Sequence, residues 1–390
     1  MKRKNRRLTM LPILLAGVLS AGCGSGTVHQ TPERTDGTDG TFPLAATSEI
    51  ESVEEKKPMK QTVSRQEMLE VWEMLKTPYK YGAAMKFDDR LCDSPSVFRF
   101  GGRWYMSFIE IDRNVADSGY ESYLAVSDDL QNWEVLFQIL KRRDLPVWDA
   151  KQSAAYAGFV NNDLWGDFSI RRVNGHFYFS YLGGNLNGYE TDPLQMGECR
   201  VKNLLDPATY VRFEAPVLSP FDADSRPGER KTIYKSQMFL DEKETLGHRY
   251  VTAYNAKDAD DVETIFLAVS DDGGQWQRYG ERAVFSVPGA TITGDPQILR
   301  DGDRYIMLYF VLMGNKAYNS FAVSYDLVHW TGWDGAPLIE SEEEWENVFA
   351  HKVSLVRCEG ILYHFYCAVN SKGERFIALA TSKDLTAEGR

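Results

Sequence analysis

The chain has 390 residues, of which 43% are hydrophobic and 13% aromatic, with a formal net charge of −12. That is ample chain for one large all-β domain or two small ones, and its twenty Tyr, twenty Phe and nine Trp favour strands. The acidity argues against nucleic acid or an anionic membrane surface as a partner, because both would repel it; the plain reading of the charge is a solvated surface.

The N-terminus reads as a targeting segment. A basic stretch, Lys2 to Arg7, precedes an apolar run, Leu8 to Leu19, which is too short to span a bilayer. Leu19-Ser20-Ala21-Gly22-Cys23 resembles the bacterial lipoprotein signal, whose cysteine becomes the lipidated first residue. The expectation is a signal over 1–22, lipid on Cys23, and an exported protein held at the outer or plasma membrane, in the periplasm or on the cell surface. A plain secretory signal is the alternative. The other cysteines, Cys92, Cys199, Cys358 and Cys367, are irregularly spaced and form no CxxC pair. Cys358 and Cys367 flank a Glu359-Gly360 turn that pairs 358 with 361, so they should not be bonded; all four read mostly as small core residues.

Residues 23–63 are rich in Gly, Thr, Ser, Pro and charge, the composition of a flexible tether. Ser64-Arg65-Gln66-Glu67 is a capping-box pattern, and Met68, Leu69, Trp72 and Leu75 follow at helical spacing until Pro78, so 64–84 reads as a helix and lead-in. That helix should pack on the body or on a second copy.

From residue 85 to 390 strand–turn–strand units take over. Their hairpins are 95–100 with 103–108, 168–173 with 176–181, 236–240 with 249–254, 293–301 with 304–310, and 353–358 with 361–366; Gly-Gly and Asn-Gly turns join the first two. A second motif follows most of them: Ser127-Asp-Asp-Leu-Gln-Asn-Trp133, Ser270-Asp-Asp-Gly-Gly-Gln-Trp276 and Ser324-Tyr-Asp-Leu-Val-His-Trp330, with a truncated copy at Ser382. Turn chemistry accounts for these boxes without any catalytic role. Repeated four-stranded units of this length define a five-bladed β-propeller, an all-β fold, here with a short N-terminal helix.

In such a fold the starts of the inner strands and the loops between second and third strands share one face. Asp93, Asp167, Lys235, Asp295 and His351 begin the inner strands, in a register set only to within one residue; Glu121 and Glu190 tip matching Gly-Tyr-Glu loops. One such Asp is more often a turn cap, and a lone His more often structural. Ionisable residues at all five starts point instead to a site at the channel mouth, where crowded carboxylates raise one another's pKa. Facing carboxylates suit glycosidic cleavage. Trp148, Tyr156, Trp165, Trp345 and Phe349 offer rings for sugar stacking or for loop core, and Asn185 is a further candidate sugar contact.

Asp93-Ser-Pro-Ser-Val-Phe with Gly-Gly-Arg-Trp-Tyr, Gly294-Asp295-Pro296-Gln297 and the Ser-Asp-Asp-Leu-x-x-Trp boxes resemble the five-bladed propeller glycosidases of glycoside hydrolase families 43 and 117. The resemblance implies an exo-acting hydrolase of plant or algal oligosaccharides, with inversion the expected outcome. Asp93 would be the base on water, and Asp295 would orient the sugar or tune the acid. His351 or Glu190 would be the acid, with Lys235 and Asp167 on hydroxyls or a substrate carboxylate. No cofactor is required, although related propellers admit Ca²⁺ in the channel with His351 facing its water shell. The alternative is a glycan-binding lipoprotein without turnover, favoured by Lys235 and Asp295 standing where family 43 keeps an Asp and a Glu.

Overall fold

The structure, a computed structural model, describes residues 62–113 and 118–386. The signal, Cys23 and all but the last two tether residues lie outside them. Helix α1 (Arg65–Leu75) carries both halves of the expected capping box: the Ser64 side chain accepts from the Glu67 N–H, and the Glu67 carboxylate accepts from the Ser64 N–H. Met68, Val71 and Leu75 face the core, whereas Leu69, expected there, is exposed. The helix packs on the body of its own chain: Trp72 stacks on Trp333 at 5.9 Å and donates to the Ala336 carbonyl. No helix among the described residues is long and apolar enough to cross a membrane.

The residues between helix and body, expected as lead-in, form β1 (Tyr79–Met85). This strand pairs antiparallel with β20 (Arg375–Thr381) and is the outer strand of the last sheet, which runs inward through β19 (Ile361–Val369) to β18 (Phe349–Cys358). The chain is thus closed by joining its two ends in one sheet. The other strands pair in sequence as antiparallel runs of four: β2 (Leu91–Phe100), β3 (Arg103–Ile111), β4 (Tyr120–Ser127) and β5 (Glu134–Leu140); β6 (Gln152–Ala157), β7 (Phe177–Gly184), β8 (Gln195–Val201) and β9 (Tyr210–Arg212); β10 (Thr232–Leu240), β11 (Tyr250–Lys257), β12 (Glu263–Ser270) and β13 (Gln277–Tyr279); β14 (Ile292–Asp301), β15 (Arg304–Met313), β16 (Lys316–Ser324) and β17 (Thr331–Gly332). The fold is therefore all-β and propeller-like. Its core lies between neighbouring sheets, which is why the strands are apolar on both faces. One cluster joins the first sheet to the second, another the second to the third, another the third to the fourth, and the largest joins the fourth, the last, the first and α1.

The Ser-x-Asp boxes are turns, as expected. Ser127 Oγ accepts from the N–H groups of Asp129 and Leu130, and Asp129 accepts from those of Gln131 and Asn132. Leu130, Gly273 and Leu327 take the same left-handed place in the three copies. The box tryptophans reach the neighbouring sheet: Trp133 meets Phe365 edge-on at 5.7 Å, and Trp276 donates to Glu198. All four described cysteines are free, Cys92, Cys199 and Cys367 being buried.

The second sheet departs from the expected register. Its inner strand is β6, not residues 168–173, and the chain makes an excursion over 158–172 before returning to the hairpin turn. That excursion crosses the end of the channel where the hairpin turns lie. Its backbone bonds Arg99 of the first sheet, Met238 of the third and Arg300 of the fourth, while Arg357 of the last stacks on Trp165 at 4.6 Å. It is a plug.

Around the channel, side chains substitute for the missing sheet contacts between inner strands. Gln297 accepts from the Leu355 N–H at 2.7 Å and donates to its carbonyl at 2.9 Å; Gln237 treats Ile298 the same way. Each amide mimics a peptide unit. Gln297→Leu would leave both Leu355 groups unpaired at about 1–3 kcal/mol each. We expect a stability loss of about 2–4 kcal/mol in urea unfolding; a loss under about 0.5 kcal/mol would show that these latches do not hold the ring.

Candidate active site

Four inner strands share one irregularity at the channel mouth. Between Asp93 and Ser96, Ile233 and Ser236, Gly294 and Gln297, and His351 and Val353, the ladder slips by one extra residue, a β-bulge. Counted from the bulge, Ser94, Tyr234, Asp295 and Lys352 are equivalent, and three of them (Ser94, Asp295 and Lys352) are left-handed, with φ of 57°, 54° and 60°. Left-handed backbone is strained for residues with a Cβ. It aims these side chains into the pocket, so the register expected from sequence mixes three places: Asp93 and His351 occupy one, Asp295 the next, and Lys235 the one after. Gly294 is needed beside the bulge, because a Cβ there would come within 2.7 Å of the Asn255 side-chain nitrogen.

Lys352, which the sequence reading passed over, is the hub. Its ammonium, 3% exposed, donates to Tyr189 Oη at 2.6 Å and to Glu190 at 2.5 Å, and lies 3.4 Å from Asp93. Burial works against its charge, but Asp93 and Glu190 hold its pKa well above the ordinary lysine value. Tyr189 donates to Asp93 at 2.5 Å, and Arg375, from β20, ion-pairs with the same carboxylate. Glu190 and Tyr189 come from the loop between β7 and β8, so one of the two expected loops meets Asp93 and His351 here.

Asp93 lies at the centre but is unsuited to activating water. It is fully buried; Oδ2 takes Tyr189, Arg375 and Lys352, and Oδ1 takes the Ser94 N–H. Against the opposing effect of burial, Lys352, Arg375 and His351 hold its pKa far below the usual carboxylate range. His351 is also unsuited to the acid role expected of it. Burial, which outweighs the pull of Asp93, lowers its pKa to about 3, so it is neutral at ordinary pH. Its Nδ1 lies 3.2 Å from the Cys367 carbonyl, so Nδ1 carries the hydrogen.

Asp295 has the properties of an acid. It is 5% exposed, its N–H donates to Asn255 at 3.1 Å, and its Oδ2 is buried with no hydrogen-bond partner among the described residues. Burial raises its pKa to about 6 despite Lys352 and Lys235. Asn255 also donates to Glu263 at 2.9 Å, a second carboxyl that the sequence did not suggest; burial, opposed by Lys257, raises that pKa to about 8. Lys235, 5% exposed, donates to the Val353 carbonyl at 3.1 Å and lies over the Tyr156 ring.

Several expected contacts lie elsewhere. Asp167 is an exposed turn cap in the plug, accepting from Asn161 and Ser169, and Trp165 donates to Asp301 beside it; both are at the hairpin-turn end. Glu121 accepts from the Arg142 N–H and lines a separate outer cavity. Asn185 is exposed on the loop that carries Tyr189. Trp148 stacks on Tyr181 in the second sheet, whereas Phe349 lies 5.5 Å from His351 at the mouth.

The His351 pocket is also where a metal would sit, since Asp93, His351 and Cys367 bring ligand atoms within 4.8 Å of one another. These residues do not fit Ca²⁺, a hard ion that takes six to eight oxygens. The set offers a thiol and an imidazole, and two fixed cations already occupy Asp93.

A propeller-like ring of sheets with acidic side chains gathered at a plugged channel, Asp93 held ionised by buried cations and Asp295 and Glu263 raised in pKa by burial, is the arrangement of a carbohydrate-cleaving enzyme of the propeller class. A solved complex of BT0996 and RGII is 37% identical over 83% of this chain and 97% of its counterpart, with a TM-score of 0.78. Another solved protein, a glycoside hydrolase, is 36% identical over the same shares, with a TM-score of 0.78. The chain belongs to the glycoside hydrolases. Zg3597, a family 117 glycoside hydrolase from Zobellia galactanivorans, shares the fold at 14% identity, with 80% of this chain and 92% of that one covered and a TM-score of 0.57. No protein-family model matches the chain, and no curated protein sequence does.

The Glu263 carboxyl gives a check on these electrostatics. A carboxyl whose folded pKa is raised from 4.5 to about 8 contributes stability below pH 4.5 that is lost as pH rises through 8. Glu263→Gln should therefore gain in Tm relative to the parent as pH is raised from 5 to 8.5, by several degrees; a difference that does not change with pH contradicts the assignment.

Proposed function

We propose that the domain is a five-bladed propeller whose closed pocket removes terminal sugars from plant or algal oligosaccharides of the RGII kind, with Asp295 as general acid and Glu190 as general base. The carrying observation is the unpartnered, buried Oδ2 of Asp295 on a carboxyl whose pKa is raised to about 6. Such a group keeps a proton to donate to the glycosidic oxygen. Glu190 stands at the rim with its side chain 26% exposed and ion-paired to Lys352, so a second carboxylate faces the pocket. It would accept a proton from water as the water oxygen bonds to the anomeric carbon. Asp93, Tyr189 and Arg375 would then fix Lys352, and through it Glu190.

Three further supports bear on the details. The plug across the far end of the channel favours a pocket that takes a chain end, hence exo action. The likeness to families 43 and 117 favours inversion. The similarity to BT0996, solved in complex with RGII, favours a related glycan. The leader sequence supports export and a lipid anchor on Cys23.

Asp295→Asn and Glu190→Gln should each lower kcat by about 10²–10⁴-fold on RGII-derived oligosaccharides without raising KM in proportion. Because the acid must be protonated, activity of the parent should fall as pH rises above about 6, the value to which Asp295 is raised. Proton NMR of the first-formed product should show the anomer opposite to the bond cleaved. Unchanged kcat in Asp295→Asn would falsify the assignment. Separately, Cys23→Ala should move the protein from the membrane to the soluble fraction; a distribution that does not change removes the lipid anchor from the account.

A further inference from the structure

Beneath the carboxylates lies a small cavity of about 40 Å³ on the channel axis. Its walls come from all the inner strands: Ser96, Tyr156, Ser236, Gln297 and Ser354 among them, with Lys235. Its floor is the plug, through Val160, Asn161, Asn162 and Phe168. The chemistry of the lining is one-sided. Among the described residues Lys235 is the one charged group in it, and no carboxylate lines it.

The polar groups there have donors to give. The Lys235 ammonium, with three N–H bonds, makes one hydrogen bond, to the Val353 carbonyl. Ser236, 1% exposed, has an Oγ with no partner among the described residues. Ser96 and Ser354 each accept a backbone N–H from the neighbouring strand, Ala157 and Val97 respectively, which leaves their hydroxyl hydrogens to turn elsewhere. The two glutamines are occupied by their peptide latches. A buried ammonium with two donors unused among the described residues, ringed by hydroxyls and with its counter-charges Asp295 and Asp93 outside the lining, keeps a cost that an entering anion would offset. Burial, aided by Lys352, lowers the Lys235 pKa to about 8 against the pull of Asp295 and Asp93, and an anion in the cavity would relieve the cost that they leave.

We propose that this cavity binds a small monovalent inorganic anion of halide size, held by the Lys235 ammonium and the Ser236, Ser96 and Ser354 hydroxyls. Neither Asp295 nor Glu190 lines this cavity, and the proposal does not depend on the roles given to them. An anion here would screen Lys235 from Asp295, whose carboxyl also faces Lys352, Glu190 and Asp93. The ion would therefore favour the protonated acid.

Bromide is the probe. The full protein should be melted in sodium bromide and, at equal ionic strength, in sodium gluconate, whose anion is too large for the cavity. Bromide should raise Tm by about 2 °C for each tenfold excess over Kd, and gluconate should not. Crystals soaked in bromide should give an anomalous peak in contact with Lys235 Nζ. Lys235→Met should abolish the thermal response, and Ser236→Ala, the milder change, should weaken it at least threefold in Kd. Should Lys235→Met not fold, the anomalous peak and Ser236→Ala still decide the matter. Equal responses to the two salts, or a cavity without an anomalous peak, would overturn the proposal.

Discussion

A buried ammonium organises this protein. Lys352 is carried into the channel mouth by a left-handed residue in a bulged strand, and it is 3% exposed. An unpaired charge in such a place would cost several kcal/mol, so its surroundings must answer it. Asp93 and Glu190 do so from different sheets, with Tyr189 between them. Arg375 then pairs with Asp93 from β20, the strand that binds the N-terminal β1. The closure of the ring and the charge state of the site are thereby linked: the strand that seals the two ends of the chain also supplies a cation to the pocket.

The same constraint divides the acidic groups. Asp93, which reaches two cations, is held ionised. The carboxyls set back behind Asn255, Asp295 and Glu263, meet burial with less compensation, and their pKa values rise to about 6 and about 8. Acid and base properties are thus set by how far neighbouring cations offset burial rather than by residue type. The strain of three non-glycine residues at positive φ, about 1–3 kcal/mol each, is stored where that division is made.

Much of the architecture was legible because it rests on local chemistry. Hairpin turns, Ser-x-Asp boxes and the capping box each need certain residues at fixed offsets; the boxes, the cap and four of the five expected hairpins are present. The convergence of inner-strand starts with the Gly-Tyr-Glu loop followed from strand alternation alone. What the sequence hid is what depends on register and on distant contacts. A bulge shifts the pocket-facing place by one residue, which exchanged His351 for Lys352. Aligning Asp93-Ser-Pro with Gly294-Asp-Pro by their prolines would have set Ser94, not Asp93, against Asp295, and counting back from the Glu359-Gly360 turn would then have found Lys352. Arg375 and Glu263 carry no local mark; they matter through sheets far away in the chain. The plug misled for the opposite reason. Asp167 and the Asn174-Gly175 turn look like another strand start and hairpin, yet the strand had already passed at Gln152–Ala157.

The central claim is that neighbouring carboxyls in one pocket are held in opposite protonation states. Carbonyl carbon-13 NMR of aspartate-labelled protein, with the Asp295 signal assigned by its loss in Asp295→Asn, measures this without reference to turnover. The account predicts that Asp295 titrates near pH 6 and that Asp93 stays ionised throughout the range in which the protein is folded. An Asp295 signal that titrates below about pH 4, the ordinary aspartate range, or an Asp93 signal that titrates alongside it, would contradict the account.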